Sequence, residues 1–302
     1  MTRYLAQLLP LTCLPLLSAA VPDASTYDVA LPAGPNYARA AFRLWLPPKH
    51  SKVRAVVVLV PGSNGDGRSL VNDPDWQAFA TRNACALVGS QLNDKPHPQP
   101  FIESYSDAAK GSGAAVLEAL TQLSEAAARK DVAKAPLLLW GFSAGGQLSY
   151  ELAAWRPERV AAFVANKGGV YFTALTSPGT RAVPALLFTG EQDLPSRKQI
   201  VEGLFALNRR AGALWALVRE PGIGHEIGQS AALSRQFFED ALALRVSSEG
   251  ELRAVPAGAG VTLDLDPQPS AAAKAENTSV WLPAERTASA WRNVVSGGRI
   301  GS

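Results

Sequence analysis

The segment GFSAG at 141–145 combines a serine with two glycines at a spacing that suits nucleophilic chemistry. A sharp strand-to-helix turn presents a serine hydroxyl above a sheet, and the glycines leave room where a Cβ would clash. The apolar stretch 136–140 predicts the strand, and the pattern from Gln147 predicts the helix. We therefore expect Ser143 to be a nucleophile and the Ala144 amide to be an oxyanion donor. A glycine-serine turn without a role is the alternative.

A serine hydroxyl needs a base to become a good nucleophile, and histidine is the usual one. The sequence has three histidines, of which His50 and His97 precede Ser143. His225 follows it, in the glycine-rich stretch PGIGHE beyond the predicted strand 214–218. A sheet with this kind of turn carries nucleophile, acid and base in that chain order. His225 is therefore predicted to be the base, and a surface loop histidine is the alternative.

The acid of such a triad should follow the strand that lies between the nucleophile and the base. The predicted strand 183–189 leads into GEQD, which contains Glu191 and Asp193. We expect Asp193 to accept the Nδ1 hydrogen of His225, because it lies further into the loop and can reach the neighbouring one. Glu191, only two residues away, is the rival candidate.

The loop after the first long strand is the expected source of a second oxyanion donor. That loop, PGSNGDG, begins at Pro61, and its glycines let the backbone approach a substrate closely. We predict that the Ser63 amide is the donor, with the Asn64 amide as the second choice. A phosphate-binding role is disfavoured because no GK[ST] sequence follows the glycines.

These candidates lie on an alternation of strand and helix patterns. The run VRAVVVLV at 53–60 is typical of a strand that is covered on both faces of a parallel sheet. The other predicted strands are 40–46, 86–92, 136–140, 160–166, 183–189 and 214–218, and the predicted helices are 113–128, 147–155, 200–210 and 231–244. The fold class is therefore α/β, with a mostly parallel, doubly wound sheet, helices on both faces and one antiparallel strand at the start.

Together, GFSAG at 141–145, GEQD at 190–193, GIGH at 222–225 and PGSNG at 61–65 resemble the α/β-hydrolase superfamily. Over roughly residues 40–245 the chain looks like secreted serine esterases of the polyhydroxybutyrate-depolymerase, feruloyl-esterase and dienelactone-hydrolase-like groups. The resemblance implies cleavage of small-molecule or polymer-linked carboxylic esters through an acyl-enzyme on Ser143, without a metal or organic cofactor. Pro61 departs from the histidine that many relatives have there. Dienelactone hydrolases usually use cysteine as the nucleophile, so serine points towards esters.

Residues 1–20 are typical of a cleaved signal peptide, with a positive start, an apolar core broken by two prolines and small residues at the end. The protein is therefore expected to be secreted or periplasmic. The α/β-hydrolase catalytic domain is predicted over 21–250, and a C-terminal extension packed on it over 251–302. Within that extension, 281–292 is predicted to be an amphipathic helix anchored by its two tryptophans.

Composition excludes several classes of protein. Lys plus Arg is 29 and Asp plus Glu is 26, and a net charge of +3 without a basic run argues against a nucleic-acid partner. Two cysteines and three histidines are too few for a disulfide framework or a His/Cys metal cluster. Cys85, in an apolar run, is predicted to be buried. No apolar stretch after 1–20 is long enough to span a bilayer, so no stable membrane insertion is expected after the signal peptide is cleaved.

Two other functions stay open. A serine peptidase of the prolyl-oligopeptidase type is disfavoured, because the stretch before position 53 is too short for the propeller that those enzymes carry. The second is a catalytically silent hydrolase-fold binding protein. Segments 93–105 and 166–180 follow strand ends and are expected to form the pocket walls. Lys167 and Tyr171 are candidates for contact with an acidic or sugar-bearing substrate there, although surface ion pairing and core packing are favoured. The NTS sequence at 277–279 fits a glycosylation sequon.

Overall fold

The computed structural model describes residues 25–48, 52–99, 102–265 and 279–301. In these ranges the strands are β1 Ser25–Leu31, β2 Arg39–Leu46, β3 Ala55–Val60, β4 Cys85–Asn93, β5 Leu137–Phe142, β6 Val160–Asn166, β7 Ala185–Gly190, β8 Trp215–Glu220, β9 Val261–Asp264 and β10 Ser279–Leu282. The α-helices are α1 Pro74–Asn83, α2 Ser112–Ala126, α3 Lys130–Lys134, α4 Ala144–Trp155, α5 Pro178–Arg181, α6 Pro195–Arg210, α7 Ser230–Arg245 and α8 Glu285–Val295.

Eight strands form one sheet in the order β1-β2-β4-β3-β5-β6-β7-β8. The β1–β2 and β2–β4 pairs are antiparallel, and the remaining pairs are parallel. Every residue of β3, β6 and β7 is buried, because helices cover both faces of the sheet. The predicted α/β class and the mostly parallel sheet are confirmed.

The topology brings the three predicted catalytic residues to one edge of the sheet. Ser143 directly follows β5, Asp193 lies just after β7, and His225 lies in the loop after β8. Carboxyl ends of parallel strands meet at the same edge of a sheet, which is where open α/β proteins bind their ligands. The fold therefore brings together the three residues that the order of the motifs predicts to interact.

Strand β1 and helix α1 were not predicted, and neither were the short helices α3 and α5 or the strands β9 and β10. Edge strand β1 alternates half-buried and exposed residues and pairs with β2, helped by two hydrogen bonds of 2.9 Å from Arg43 to Asp28. Helix α1 begins with a clear cap, since Asp73 accepts hydrogen bonds from the amides of Asp75 and Trp76 and a proline follows the cap. It is shorter than the predicted helices α2, α4, α6 and α7, so it offers fewer positions on which to recognise a helical pattern.

The prediction of a helix over 281–292 is only partly right. Trp281 lies on β10, which pairs with β9, and the helix α8 begins after Pro283. Proline disfavours helical backbone in the residue before it, so strand and helix meet there. Trp281 donates to the carbonyl of Ala259 at 3.0 Å, and Trp291 donates to that of Leu217, on β8, at 2.8 Å. Residues 279–295 therefore pack at the β8 edge.

The predicted signal peptide at 1–20 and the first two residues of the sequon at 277–279 lie outside the described residues. The division into a domain over 21–250 and an extension over 251–302 stays a prediction. None of the described helices is long and apolar enough to cross a bilayer. Cys85 is a free and buried thiol, and burial raises its pKa to about 12.

Candidate active site

Ser143 occupies a strained turn between β5 and α4. Its backbone has φ 55° and ψ −123°, a combination that L residues rarely adopt and that costs on the order of 1–3 kcal/mol. Its amide donates to the carbonyl of Asn166 at 2.8 Å, which ties the turn to the end of β6. The hydroxyl is thereby held above the sheet at the start of a helix.

The two glycines of the motif are required by close backbone approach. A Cβ on Gly141 would lie 2.0 Å from the carbonyl oxygen of Gly145. A Cβ on Gly145 would lie 2.4 Å from the carbonyl oxygens of both Val60 and Pro61. Helix α4 therefore packs directly on the ends of β5 and β3, and this contact fixes the direction in which Ser143 points.

Gly145→Ala is expected to lower the free energy of unfolding by about 2–3 kcal/mol, because backbone atoms of β3 must move to admit the methyl group. Gly203→Ala on α6 is the matched control, since a Cβ there would meet nothing within 4 Å. That change should raise stability by about 0.5–1 kcal/mol. Urea unfolding of both variants measures the difference, and equal midpoints would contradict the packing argument.

Three side chains form a continuous hydrogen-bonded chain. The Nε2 atom of His225 lies 3.0 Å from Oγ of Ser143, and its Nδ1 atom lies 3.0 Å from Oδ2 of Asp193. The Asp193 side chain is 2% exposed and that of His225 is 32% exposed, so the carboxylate is buried while the imidazole faces the rim. The Phe142 ring packs on the imidazole, with the ring centres 5.0 Å apart. This order of donors and acceptors is the one that lets histidine take a proton from serine.

Backbone contacts hold the loops after β7 and β8 against each other. Gln192 donates to the carbonyl of Ile223 at 2.9 Å, and a Cβ on Gly190 would lie 2.4 Å from the carbonyl oxygen of Gly224. This close packing brings Asp193 against His225. The competing candidate has a different partner: the exposed carboxylate of Glu191 accepts the amide of Gly222 at 2.8 Å.

Arg197 completes the surroundings of Asp193 and was not predicted from the sequence. It lies one helical turn further along and donates to Oδ1, the oxygen that His225 leaves free. The amide of Leu194 donates to the same oxygen at 2.7 Å. Burial alone would raise the pKa of Asp193, but the hydrogen bond from His225 and those from Leu194 and Arg197 outweigh it. They hold that pKa below its usual value.

A carboxyl group with a lowered pKa stabilises the fold above its unfolded pKa, and that stabilisation is lost as the pH falls through the folded pKa. Arg197→Met removes one donor to Asp193, so we expect it to cost about 1–2 kcal/mol at pH 7. The difference from wild type should shrink as the pH falls below about 4. Denaturant unfolding at several pH values measures it. Arg210→Met, at the exposed end of α6, should show no such dependence.

Asn64 shapes the loop after β3. Its backbone is left-handed, with φ 53°, and its amide donates to the hydroxyl of Tyr105 at 3.1 Å. Its side chain accepts from the amide of Asp94 at 2.7 Å and donates to Oγ of Ser63 at 3.2 Å. The Asn64 amide is therefore engaged, whereas the Ser63 amide has no hydrogen-bond partner within the described part of the chain.

The two predicted oxyanion donors lie beside Ser143. A Cβ on Gly62 would lie 3.7 Å from the Cβ of Ser143, so the loop that carries Ser63 runs beside it. Ala144 is the first residue of α4, where helical amides have no acceptor within the helix. Both amides are thus available for a negatively charged oxygen formed at Ser143.

A cavity of about 690 Å³ adjoins Ser143. Residues of both predicted walls line it, including Asp94 and Glu103 from one segment and Val170 from the other. Lys167 and Tyr171 do not line it: Lys167 is buried and pairs with Glu220, and Tyr171 is half-buried and packs edge-on against Tyr150. Tyr171 packs as predicted, whereas the ion pair of Lys167 is buried and does not lie at the surface. Among the described residues, no cluster of His, Cys, Asp or Glu could hold a metal ion.

Gln147 joins the two walls and was also missed. It lies one turn after Ser143 on α4 and lines the cavity. Its amide oxygen accepts from Gly169 at 3.0 Å, and its amide nitrogen donates to Oγ of Ser106 at 3.2 Å. Its only signal in the sequence is a polar side chain four positions after Ser143, at the start of the predicted helix.

No protein-family model and no curated protein matches the sequence. Solved structures are similar to it at low identity. An esterase from the archaeon Pyrobaculum calidifontis is 17% identical over 75% of this chain and 88% of its own, with a TM-score of 0.51. Poly(aspartic acid) hydrolase-1 from Sphingomonas sp. KT-1 is also 17% identical, over 72% and 98%, with a TM-score of 0.51.

A dienelactone hydrolase from Anabaena variabilis is 18% identical over 74% of this chain and 100% of its own, with a TM-score of 0.50. Identities this low carry information about the fold alone. The sheet order, the strained turn at Ser143 and the loops at the strand ends agree with that likeness. The chain has the α/β-hydrolase fold.

Proposed function

We propose that this protein is a serine hydrolase that cleaves carboxylic esters. The observation that carries the proposal is the hydrogen-bonded chain from Ser143 through His225 to Asp193, with 3.0 Å at each of its two contacts. Such a chain activates a hydroxyl that would otherwise be a poor nucleophile. An esterase, a poly(aspartic acid) hydrolase and a dienelactone hydrolase among the similar structures support a hydrolase in general terms.

The proposed reaction has two halves. Oγ of Ser143 attacks the ester carbonyl carbon while Nε2 of His225 takes the hydroxyl proton, and the amides of Ser63 and Ala144 hold the oxyanion. Asp193 keeps Nδ1 of the imidazole protonated and stabilises the imidazolium. His225 then gives its proton to the leaving alcohol. Water repeats the sequence on the acyl-enzyme, which releases the acid and restores Ser143.

The mixed character of the cavity favours a partly polar substrate. Polar side chains such as Asp94, His97 and Gln147 border it together with the apolar Ile102 and Leu194. A long acyl chain would therefore find only a small apolar surface in which to lose its contact with water. We propose small-molecule or polymer-linked esters with compact acyl groups as substrates.

A fluorophosphonate probe tests the proposal directly. It should add one phosphonate group to the wild-type protein, and mass spectrometry of the digest should map that group to the peptide that contains Ser143. A wild-type protein that stays unlabelled would favour a catalytically silent binding protein. A label on another serine would contradict the assigned nucleophile.

Matched aryl ester and peptide anilide substrates separate an esterase from a serine peptidase. Both release a chromophore after attack at a carbonyl, so the comparison depends on the leaving group and not on the detection. We expect turnover of the esters and none of the anilides. Efficient anilide cleavage would favour the peptidase alternative.

We also propose export, which rests on the composition of residues 1–20. Expression of the full sequence in a bacterial host with a periplasm should give a mature protein in the periplasm or medium. Its N-terminal sequence should begin just after the small residues at 18–20. An uncleaved N-terminus would contradict the proposal.

A further inference from the structure

A buried ion pair lies beneath the loop that carries His225. Lys167, which follows β6, donates to Glu220, the last residue of β8, and the two side chains are 0% and 2% exposed. Lys167 also has a left-handed backbone, with φ 56°, which an L residue adopts only when its surroundings hold it there. Neither side chain lines the cavity, and the proposed reaction uses neither of them.

Glu220 closes the His225 loop at its base. One carboxylate oxygen accepts from Lys167, and the other accepts the amide of Gln229. The residues that flank the loop on either side, 220 and 229, are therefore joined through a single side chain. Gly228 makes this possible: its φ is 58°, and a Cβ there would lie 2.4 Å from the carboxylate.

Asn166 connects the same loop to the nucleophile. Its carbonyl accepts the amide of Ser143 at 2.8 Å, and its side-chain nitrogen donates to Oγ of Ser230 at 2.6 Å and to the carbonyl of Ile227 at 3.3 Å. Nζ of Lys167 donates to the side-chain oxygen of Asn166 at 3.1 Å. One buried network thus contacts both the turn that holds the serine and the loop that holds the histidine.

We propose that Glu220 is a positioning residue for the reaction: by accepting the Gln229 amide it fixes His225 relative to Ser143. This inference rests on the proposed function, since it assigns Glu220 a role in the step at Ser143. A purely structural role is the alternative, but a buried ion pair is often no more stabilising than apolar residues of similar volume. Ion pairing therefore does not explain why the second carboxylate oxygen of Glu220 accepts the Gln229 amide.

The test compares two double variants that both remove the ion pair. Lys167→Met with Glu220→Gln keeps an oxygen that can accept the Gln229 amide. Lys167→Met with Glu220→Leu has a similar volume and no acceptor. We expect the glutamine variant to stay within about threefold of the wild-type kcat. The leucine variant should lose about 30- to 100-fold in kcat with little change in KM. Substrate binding is left intact, whereas the geometry of proton transfer from Ser143 to His225 is disturbed.

The control is Arg219→Met with Glu202→Gln, which removes an exposed ion pair from the neighbouring position on β8. Its kcat and melting temperature should stay near those of the wild type. The melting temperatures of the two Lys167 double variants should also agree within a few degrees, which separates positioning from stability. Fluorophosphonate labelling rates, measured with the same proteins, should follow kcat.

Equal kcat values in the glutamine and leucine variants would overturn the positioning role, and so would a loss that falls only on KM. If the leucine variant does not fold, Lys167→Met with Glu220→Met provides a second chain without an acceptor. Failure of both apolar variants to fold, with the glutamine variant intact, would assign Glu220 to the fold and also overturn the proposal. Any of these results leaves wild-type labelling at Ser143, and hence the proposed function, unaffected.

Discussion

Replacing Ser143 by alanine is expected to lower kcat for ester hydrolysis by about 10⁶-fold. The change removes only the Oγ atom, while the strained turn, the cavity and both oxyanion amides stay in place. What remains should be the small rate increase that oxyanion stabilisation and substrate binding give without a nucleophile. Initial rates with an activated aryl ester, measured at substrate concentrations well above KM, test the prediction.

His225→Ala should be almost as damaging, because the base and the nucleophile act as one unit. For the same reason, the double variant Ser143→Ala with His225→Ala should be no slower than either single variant. A loss in the double variant equal to the product of the two single losses would show that the side chains act independently. Their 3.0 Å contact argues against that result. A Ser143→Ala enzyme that keeps a tenth of wild-type activity would exclude the proposed acyl-enzyme.

The central strands could be predicted from the sequence because helices cover them on both faces. A strand buried on both sides is a continuous apolar run, and β6 spans the predicted range 160–166. Strand β4 extends only one residue beyond each end of its predicted range, 86–92. Where one side of an element faces water, as in β1 and α1, the apolar signal is thinner and the pattern did not reveal it.

The three candidate catalytic residues could be selected for a different reason, which is the scarcity of histidine. With one histidine after the GFSAG motif, chain order left His225 as the single choice for the base. The acid was harder, since Asp193 and Glu191 lie two residues apart. Backbone packing places Asp193 against His225: the close approach of Gly190 to Gly224 sets the two loops side by side. The predicted preference for Asp193 rested on its position in the loop and not on this packing.

The residues that contact the site from outside it could not be assigned a role from the sequence. Arg197, Gln147 and Glu220 are ordinary polar residues at helix or strand positions, and their importance lies in which partner the fold brings to them. Glu220 and Lys167, for example, are 53 residues apart in the chain. No composition or period indicates such a pairing, because it depends on the order in which β6, β7 and β8 stand in the sheet.

The contrast between Asp193 and Glu191 gives the second large expected effect. Asp193→Asn should lower kcat by about 10⁴-fold, because an amide in place of the carboxylate favours the wrong histidine tautomer and cannot stabilise the imidazolium. Glu191→Gln is the matched control, since it makes the same chemical change two residues away. It can still accept the amide of Gly222, so its kcat should stay within about threefold of wild type.

The pH dependence adds a second readout. The donors around Asp193 hold its pKa below its usual value, so its carboxylate is charged at neutral pH. The asparagine variant has no such charge. Its rate should rise with pH, because hydroxide can then act as the base in place of His225. The glutamine variant should keep the wild-type profile. Comparable losses in the two variants would mean that Glu191 shares the role of the acid, and a loss confined to Glu191→Gln would overturn the assignment of Asp193.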